Sequence, residues 1–193
     1  MKKKNMVAAV LFASCLSACQ NGNATPLWDG EKVNGSLTTV IISDLHLGVD
    51  PAFAENVANL PYLTQFLKEA RSTKALDEIV IAGDMFDGWF LPFSYGVVGD
   101  YLSFYKKVAL ANASVVDAVN AIIKDGRIKV VYVPGNHDVD FSAGMVEAIF
   151  PGISQARDSE GVGTYRTGVK QEVAIEHGHR YNVFCAPDPL TDT

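Results

Sequence analysis

From position 38 onward the apolar residues fall into two alternating patterns, and these predict the elements. Thr38 to Ser43 is a β-branched run bounded by polar residues, which suits a strand buried on both faces. After a loop, Leu60, Leu63, Phe66, Leu67 and Ala70 recur at helical spacing, and Pro61 is tolerated in a first turn. Ile79 to Ala82 predicts a second buried strand. Beyond an aromatic loop, one long helical stretch runs from Gly99 to Lys124. Val115, Val116, Val119, Ile122 and Ile123 form its apolar stripe, and Asp125-Gly126 supplies a stop. Lys129 to Val133 predicts a third strand, and Ser142 to Phe150 a short helix ended by Pro151-Gly152. A hairpin strand near Tyr165 and a strand from Glu172 to Glu176 complete the series. Strands alternating with helices predict a layered α/β fold.

The N-terminal pattern is of another kind. Lys2, Lys3 and Lys4 precede an apolar run from Met6 to Leu16, too short to span a bilayer and typical of a signal peptide. Leu16-Ser17-Ala18-Cys19 follows and resembles the bacterial lipobox, which implies that Cys19 is acylated and becomes the new N-terminus. The expected organisation is a signal peptide over 1–18, a flexible tether over 19–37 rich in Asn, Gly, Ser and Thr, and a domain over 38–193. The expected location is a bacterial membrane, with the lipid-anchored domain facing the periplasm or the cell exterior.

Composition narrows the choice of partners. With 48% hydrophobic and 20% charged residues, the chain has apolar material for one core and is neither a disordered tail nor a multi-span membrane protein. Loss of the signal segment with its three lysines takes the formal charge from −6 to −9. An acidic chain without basic clusters is a poor ligand for nucleic acid. Cys15 leaves with the signal and Cys19 carries lipid, so Cys185 remains alone and no intrachain disulfide is expected.

Each strand runs into a cluster of metal-competent residues at its C-terminal end, where open α/β sheets place their sites. The first leads to Asp44-Leu45-His46, whose side chains, two apart on an extended segment, point the same way. The second leads to Gly83-Asp84-Met85-Phe86-Asp87. There glycine lets the backbone come close, and Asp84 can bridge two cations with its two oxygens. The third leads through Pro134 to Gly135-Asn136-His137-Asp138, and the strand from Glu172 ends at His177-Gly178-His179. All four histidines of the chain lie in these segments.

In this order, Asp-x-His, Gly-Asp-x-x-Asp, Gly-Asn-His-Asp and a strand-terminal histidine resemble the calcineurin-like metallophosphoesterase family. The resemblance covers about Val40 to Asp188 and implies an α-β-β-α sandwich and phosphoester hydrolysis by water activated between two divalent ions, Mn, Fe or Zn. It implies that Asp44 and His46 hold one metal, that Asp84 bridges, and that Asn136 and His177 hold the second. It also implies that His137 assists the leaving group, while Asp138 orients its ring and favours its protonated form. Asp87 is open between a turn-capping or supporting role and a catalytic one.

Members of that family continue to a Gly-His-x-His segment that completes the metal sites. Gly178-His179-Arg180-Tyr181 is the local match, with one histidine. The expectation is therefore an incomplete N-terminal portion of the domain, with His179 an additional candidate ligand and a second polypeptide a candidate for completing the fold. The alternative to an enzyme is an inactive or partner-dependent lipid-anchored fragment that binds metal or ligand without turnover. Trp89, Phe90 and Phe93 either wall a site for a nucleotide or lipid phosphate or pack on the following helix. Gly-Asp-x-Phe-Asp-x-Trp looks like the branch that includes UDP-diacylglucosamine pyrophosphohydrolases. That branch works in the cytoplasm, away from where the lipobox directs this chain.

Overall fold

A computed structural model describes residues 7–9, 35–95, 99–158 and 162–186. In chain order the elements are β1 (Val7–Ala9), β2 (Thr39–Ile42), α1 (Leu60–Ser72), β3 (Glu78–Ala82), α2 (Tyr101–Ala111), α3 (Ala113–Asp125), β4 (Lys129–Val133), α4 (Ala143–Ile149), β5 (Ser154–Gln155), β6 (Tyr165–Thr167) and β7 (Val173–Ile175). Strands β1 to β5 form one parallel sheet in sequential order, and β6 pairs antiparallel with β7. Among the described residues no helix is long and apolar enough to cross a membrane. Cys19 and nearly all of the tether lie outside the described residues. Val7–Ala9, inside the run expected to be a signal peptide, pair in parallel with Thr39–Ile41 as an edge strand.

The period of two along each strand assigns the layers. Ile79, Ile81, Val130 and Tyr132 join a core with Leu63, Phe66 and Leu67 of α1 and Val115, Val119 and Ile122 of α3. The alternate residues Val80, Ala82, Val131 and Val133 join Ile175 of β7 in a second core, with Tyr165 and Val173 packed against it. Both faces of the sheet are thereby covered, which is why its strands read as unbroken apolar runs. The result is a mixed α/β domain with helices on one face and a two-stranded sheet on the other.

Besides β1, two elements differ from expectation. The helical stretch over 99–124 is two helices, broken at the buried Asn112. Its side-chain amide donates to the Gly48 carbonyl at 2.8 Å and to that of Val108 at 2.9 Å, so a loop 64 residues earlier claims the residue that would have continued the helix. Strand β5 was not expected at all. Its two residues pair with Val131 and Tyr132 of β4.

At the N-terminal ends of the strands the sheet is tied to the hairpin through Glu78, which is buried. Thr39 Oγ1 donates to its carboxylate at 2.8 Å, and Thr167 Oγ1 and Tyr165 Oη of β6 donate as well. Lys129 Nζ donates to Tyr165 Oη at 3.1 Å and sits over the ring. Glu78 thus fixes the hairpin, and β7 carries His177 to the other end of the sheet.

Candidate metal centre

Past their last residues, β2 and β3 continue side by side as loops. The Asp44 amide donates to Gly83 O at 3.2 Å, that of His46 to Asp84 O at 3.0 Å, and that of Leu47 to Met85 O at 3.0 Å. To present their side chains from this ladder, Asp44 (φ 55°), His46 (φ 44°) and Asp84 (φ 51°) adopt left-handed backbone. The shared orientation of Asp44 and His46 therefore comes from strained backbone and not from the extended segment expected. Such strain, on the order of 1 kcal/mol per residue, clusters at functional sites.

Two glycines are dictated by the same crowding. A Cβ on Gly83, itself at φ 87°, would lie 2.5 Å from the His177 ring. One on Gly135 would lie 2.1 Å from Asp84 Oδ1. Each motif glycine makes room for a candidate ligand from another strand.

Asp84 is nearly fully buried and stands between two groups. On one side His46 Nε2 lies 3.8 Å from Asp84 Oδ2 and 3.9 Å from Asp44 Oδ1. On the other, His177 Nε2 lies 3.3 Å from the same Asp84 oxygen and 3.0 Å from Asn136 Oδ1. His177 Nδ1 donates to the Ala82 carbonyl at 2.8 Å, which aims Nε2 at the carboxylate. The five residues Asp44, His46, Asp84, Asn136 and His177 are thus brought together.

The electrostatics are those of a site short of positive charge. Burial alone would lower the His177 pKa, but the Asp84 carboxylate and the Ala82 carbonyl push it up to about 9. Burial would likewise raise Asp84, yet hydrogen bonds from His177 and the His137 amide bring it below its ordinary value. His46 is raised, chiefly by Asp87 and against burial.

His137 sits beside this group with its Nδ1 3.4 Å from Asp87 Oδ1. Asp87 resists the upward push of burial and falls to about 2, held by His46, the Trp89 and Phe90 amides and His137. Of the roles open for it, the geometry matches the turn-capping and supporting one: it caps its turn at 2.7 Å to the Trp89 amide and faces two imidazoles. The expectation that Asp138 orients His137 is corrected: its oxygens accept from the Gly135 amide at 2.8 Å and the Met85 amide at 2.9 Å. Fully buried there, Asp138 has a raised pKa from desolvation and from the charge of Asp84. It joins the β3 and β4 loops instead. Nothing in the spacing distinguishes Asp87 from Asp138 as the ring's partner.

Trp89 stacks on His137 with centroids 3.9 Å apart and planes 25° apart, and is 55% exposed. In the aromatic loop, Trp89 thus packs on the centre. His179 is buried with its ring 5.4 Å from that of His177 and its pKa lowered by burial and by that neighbour. It belongs to neither of the groups of carboxylates and histidines that could hold an ion.

The sequence profile described as calcineurin-like phosphoesterase matches residues 37–189. The chain belongs to the calcineurin-like phosphoesterase family. No curated protein and no solved structure gives a match. Family membership brings metal-dependent phosphoester hydrolysis as the general chemistry, and the candidate ligand groups here fit it. The fit is physical. Hard carboxylate and amide oxygens alternate with imidazole nitrogens, and a divalent ion would neutralise the buried acids that His177 now balances with a proton.

Proposed function

We propose that the protein hydrolyses a phosphoester, with two divalent cations held by Asp44, His46, Asp84, Asn136 and His177 and with His137 assisting the leaving group. The supporting observation is Asp84, whose Oδ2 faces His46 Nε2 at 3.8 Å and His177 Nε2 at 3.3 Å, so one carboxylate serves both halves of the centre. Bound there, cations of the Mn, Fe or Zn type would polarise the phosphoryl group and lower the pKa of an attacking water.

The chain's own residues do the rest. Asp87 faces His137 Nδ1, which leaves Nε2 as the nitrogen available to give a proton to the departing oxygen. Trp89 covers one face of that ring, restricting it to one plane. A leaving group beside His137 meets the exposed indole, which favours esters of flat, apolar alcohols such as aryl or nucleoside groups.

Release of nitrophenol from mono- and bis-nitrophenyl phosphate in the presence of Mn²⁺ tests this. Asp84→Asn reduces hydrolysis to background, whereas His137→Ala lowers kcat by about 10²- to 10⁴-fold while metal content is retained. Wild-type rates in both variants would refute the assignment. Metal binding without hydrolysis under any divalent ion would instead favour the non-catalytic, partner-dependent alternative.

A further inference from the structure

Among the described residues two groups of three histidines and carboxylates could hold a metal ion, and of these only Asp44, His46 and Asp84 holds a cation in the reaction above. The other is His46, Asp87 and His137, whose ligand atoms also lie within 4.8 Å of one another. We propose that this second group is a competing zinc site, exclusive of the productive centre, through which added zinc ions inhibit the manganese-loaded protein.

The distances favour a metal over hydrogen bonds. His46 Nδ1 lies 3.5 Å from Asp87 Oδ2, and His137 Nδ1 lies 3.4 Å from Asp87 Oδ1. Charge-assisted N–H···O bonds are about 2.7 to 2.9 Å long. Two donors at about 2.0 to 2.1 Å from a tetrahedral zinc lie about 3.4 Å apart. Each imidazole addresses its own oxygen, so the carboxylate stands between the two rings and can give zinc one oxygen as a third ligand. His46 Nδ1 is buried and makes no hydrogen bond of ordinary geometry, only the long approach to Asp87, which is itself almost wholly buried. Trp89 and the edge-on contact between His46 and His137, with centroids 4.6 Å apart, hold the rings in place. Two imidazoles and one carboxylate suit zinc, with a fourth position left for water, better than they suit the oxygen-seeking Mg or Mn.

Exclusivity follows from His46. A neutral imidazole has one lone pair. On Nε2 it serves the side of Asp44 and Asp84, and on Nδ1 it serves the side of Asp87 and His137. Zinc in the second group takes a ligand from the first cation and occupies the ring that assists the leaving group.

The test loads the full chain with Mn²⁺ and adds Zn²⁺, following manganese release by paramagnetic resonance and bound zinc by equilibrium dialysis. Zinc ejects manganese from the wild type. In manganese-free protein His137→Ala weakens zinc binding, read by dialysis, by about tenfold or more, whereas Asp44→Asn, which removes a manganese ligand, does not weaken it. Equal zinc affinity in wild type and His137→Ala, or a loss confined to Asp44→Asn, overturns the proposal, because zinc would then be replacing manganese in the productive centre. A measurement on the unaltered chain guards against a misfolded variant: Co²⁺ added after Mn²⁺ gives the strong visible absorption of a four-coordinate site, and weak six-coordinate absorption alone counts against it. Inhibition rests on the hydrolytic function proposed above, but zinc binding does not. Zinc affinity that follows His137 in a protein without hydrolysis would sink the function and leave this site standing.

Discussion

Two buried carboxylates lie at opposite ends of β3, Glu78 at its start and Asp84 just past its end, and they are satisfied in opposite ways. Glu78 accepts from three hydroxyls on regular strands, with Thr39 at 2.8 Å, and nothing around it is strained. Asp84 takes one ordinary bond, from the His137 amide at 2.9 Å, and otherwise faces imidazoles at 3.3 and 3.8 Å from left-handed backbone. A buried acid is therefore no sign of function. What separates the two is that the first network is closed and the second leaves room for a cation among groups that hold each other loosely.

The most damaging way to break the contrast is to fill that room from the backbone. Gly135→Ala puts a methyl group 2.1 Å from Asp84 Oδ1, so we expect loss of metal-dependent activity to background and loss of one or both metals by elemental analysis. Near-normal metal content in this variant would show that Asp84 can move without consequence.

Next in size is the effect of pH. With the metal removed, His177 has a pKa raised to about 9 from its ordinary 6.5. Its contribution to stability is then complete below about 6.5 and disappears as pH rises through about 9. Asp87, depressed to about 2, contributes above its ordinary range and ceases to do so as pH falls through about 2. Melting temperatures of metal-free protein should therefore decline between pH 6.5 and 9. Metal-loaded protein should not follow, because deprotonation of His177 strengthens metal binding. Parallel curves for the two forms would contradict a cation at His177.

The smallest effect is expected at the closed end. Thr167→Val deletes one donor to Glu78 and should lower unfolding free energy by about 1 to 3 kcal/mol in a denaturant titration. The metal dependence of hydrolysis should stay as in the wild type. A change in metal affinity would mean that the hairpin's anchorage at Glu78 governs the placement of His177.

The fold and the grouping of the candidate ligands were legible where sequence and geometry share one cause. Strands covered on both faces require continuous apolar runs, and β2, β3 and β4 have them. Gly83 was readable because close approach leaves no room for a side chain, and the same crowding holds at Gly135. Features with a distant partner were not readable. Asn112 breaks a helix by bonding Gly48, and β5 is two polar residues held by β4. Asp87 and Asp138 have the same chemistry, and only the path of the chain decides that Asp87 meets His137.

The left-handed backbone at Asp44, His46 and Asp84 also makes these positions a conflict between durability and use. Glycine or asparagine tolerates that conformation better than aspartate or histidine. Selection for heat resistance alone would drift toward those residues there and, step by step, yield a sturdier protein with less capacity for metal.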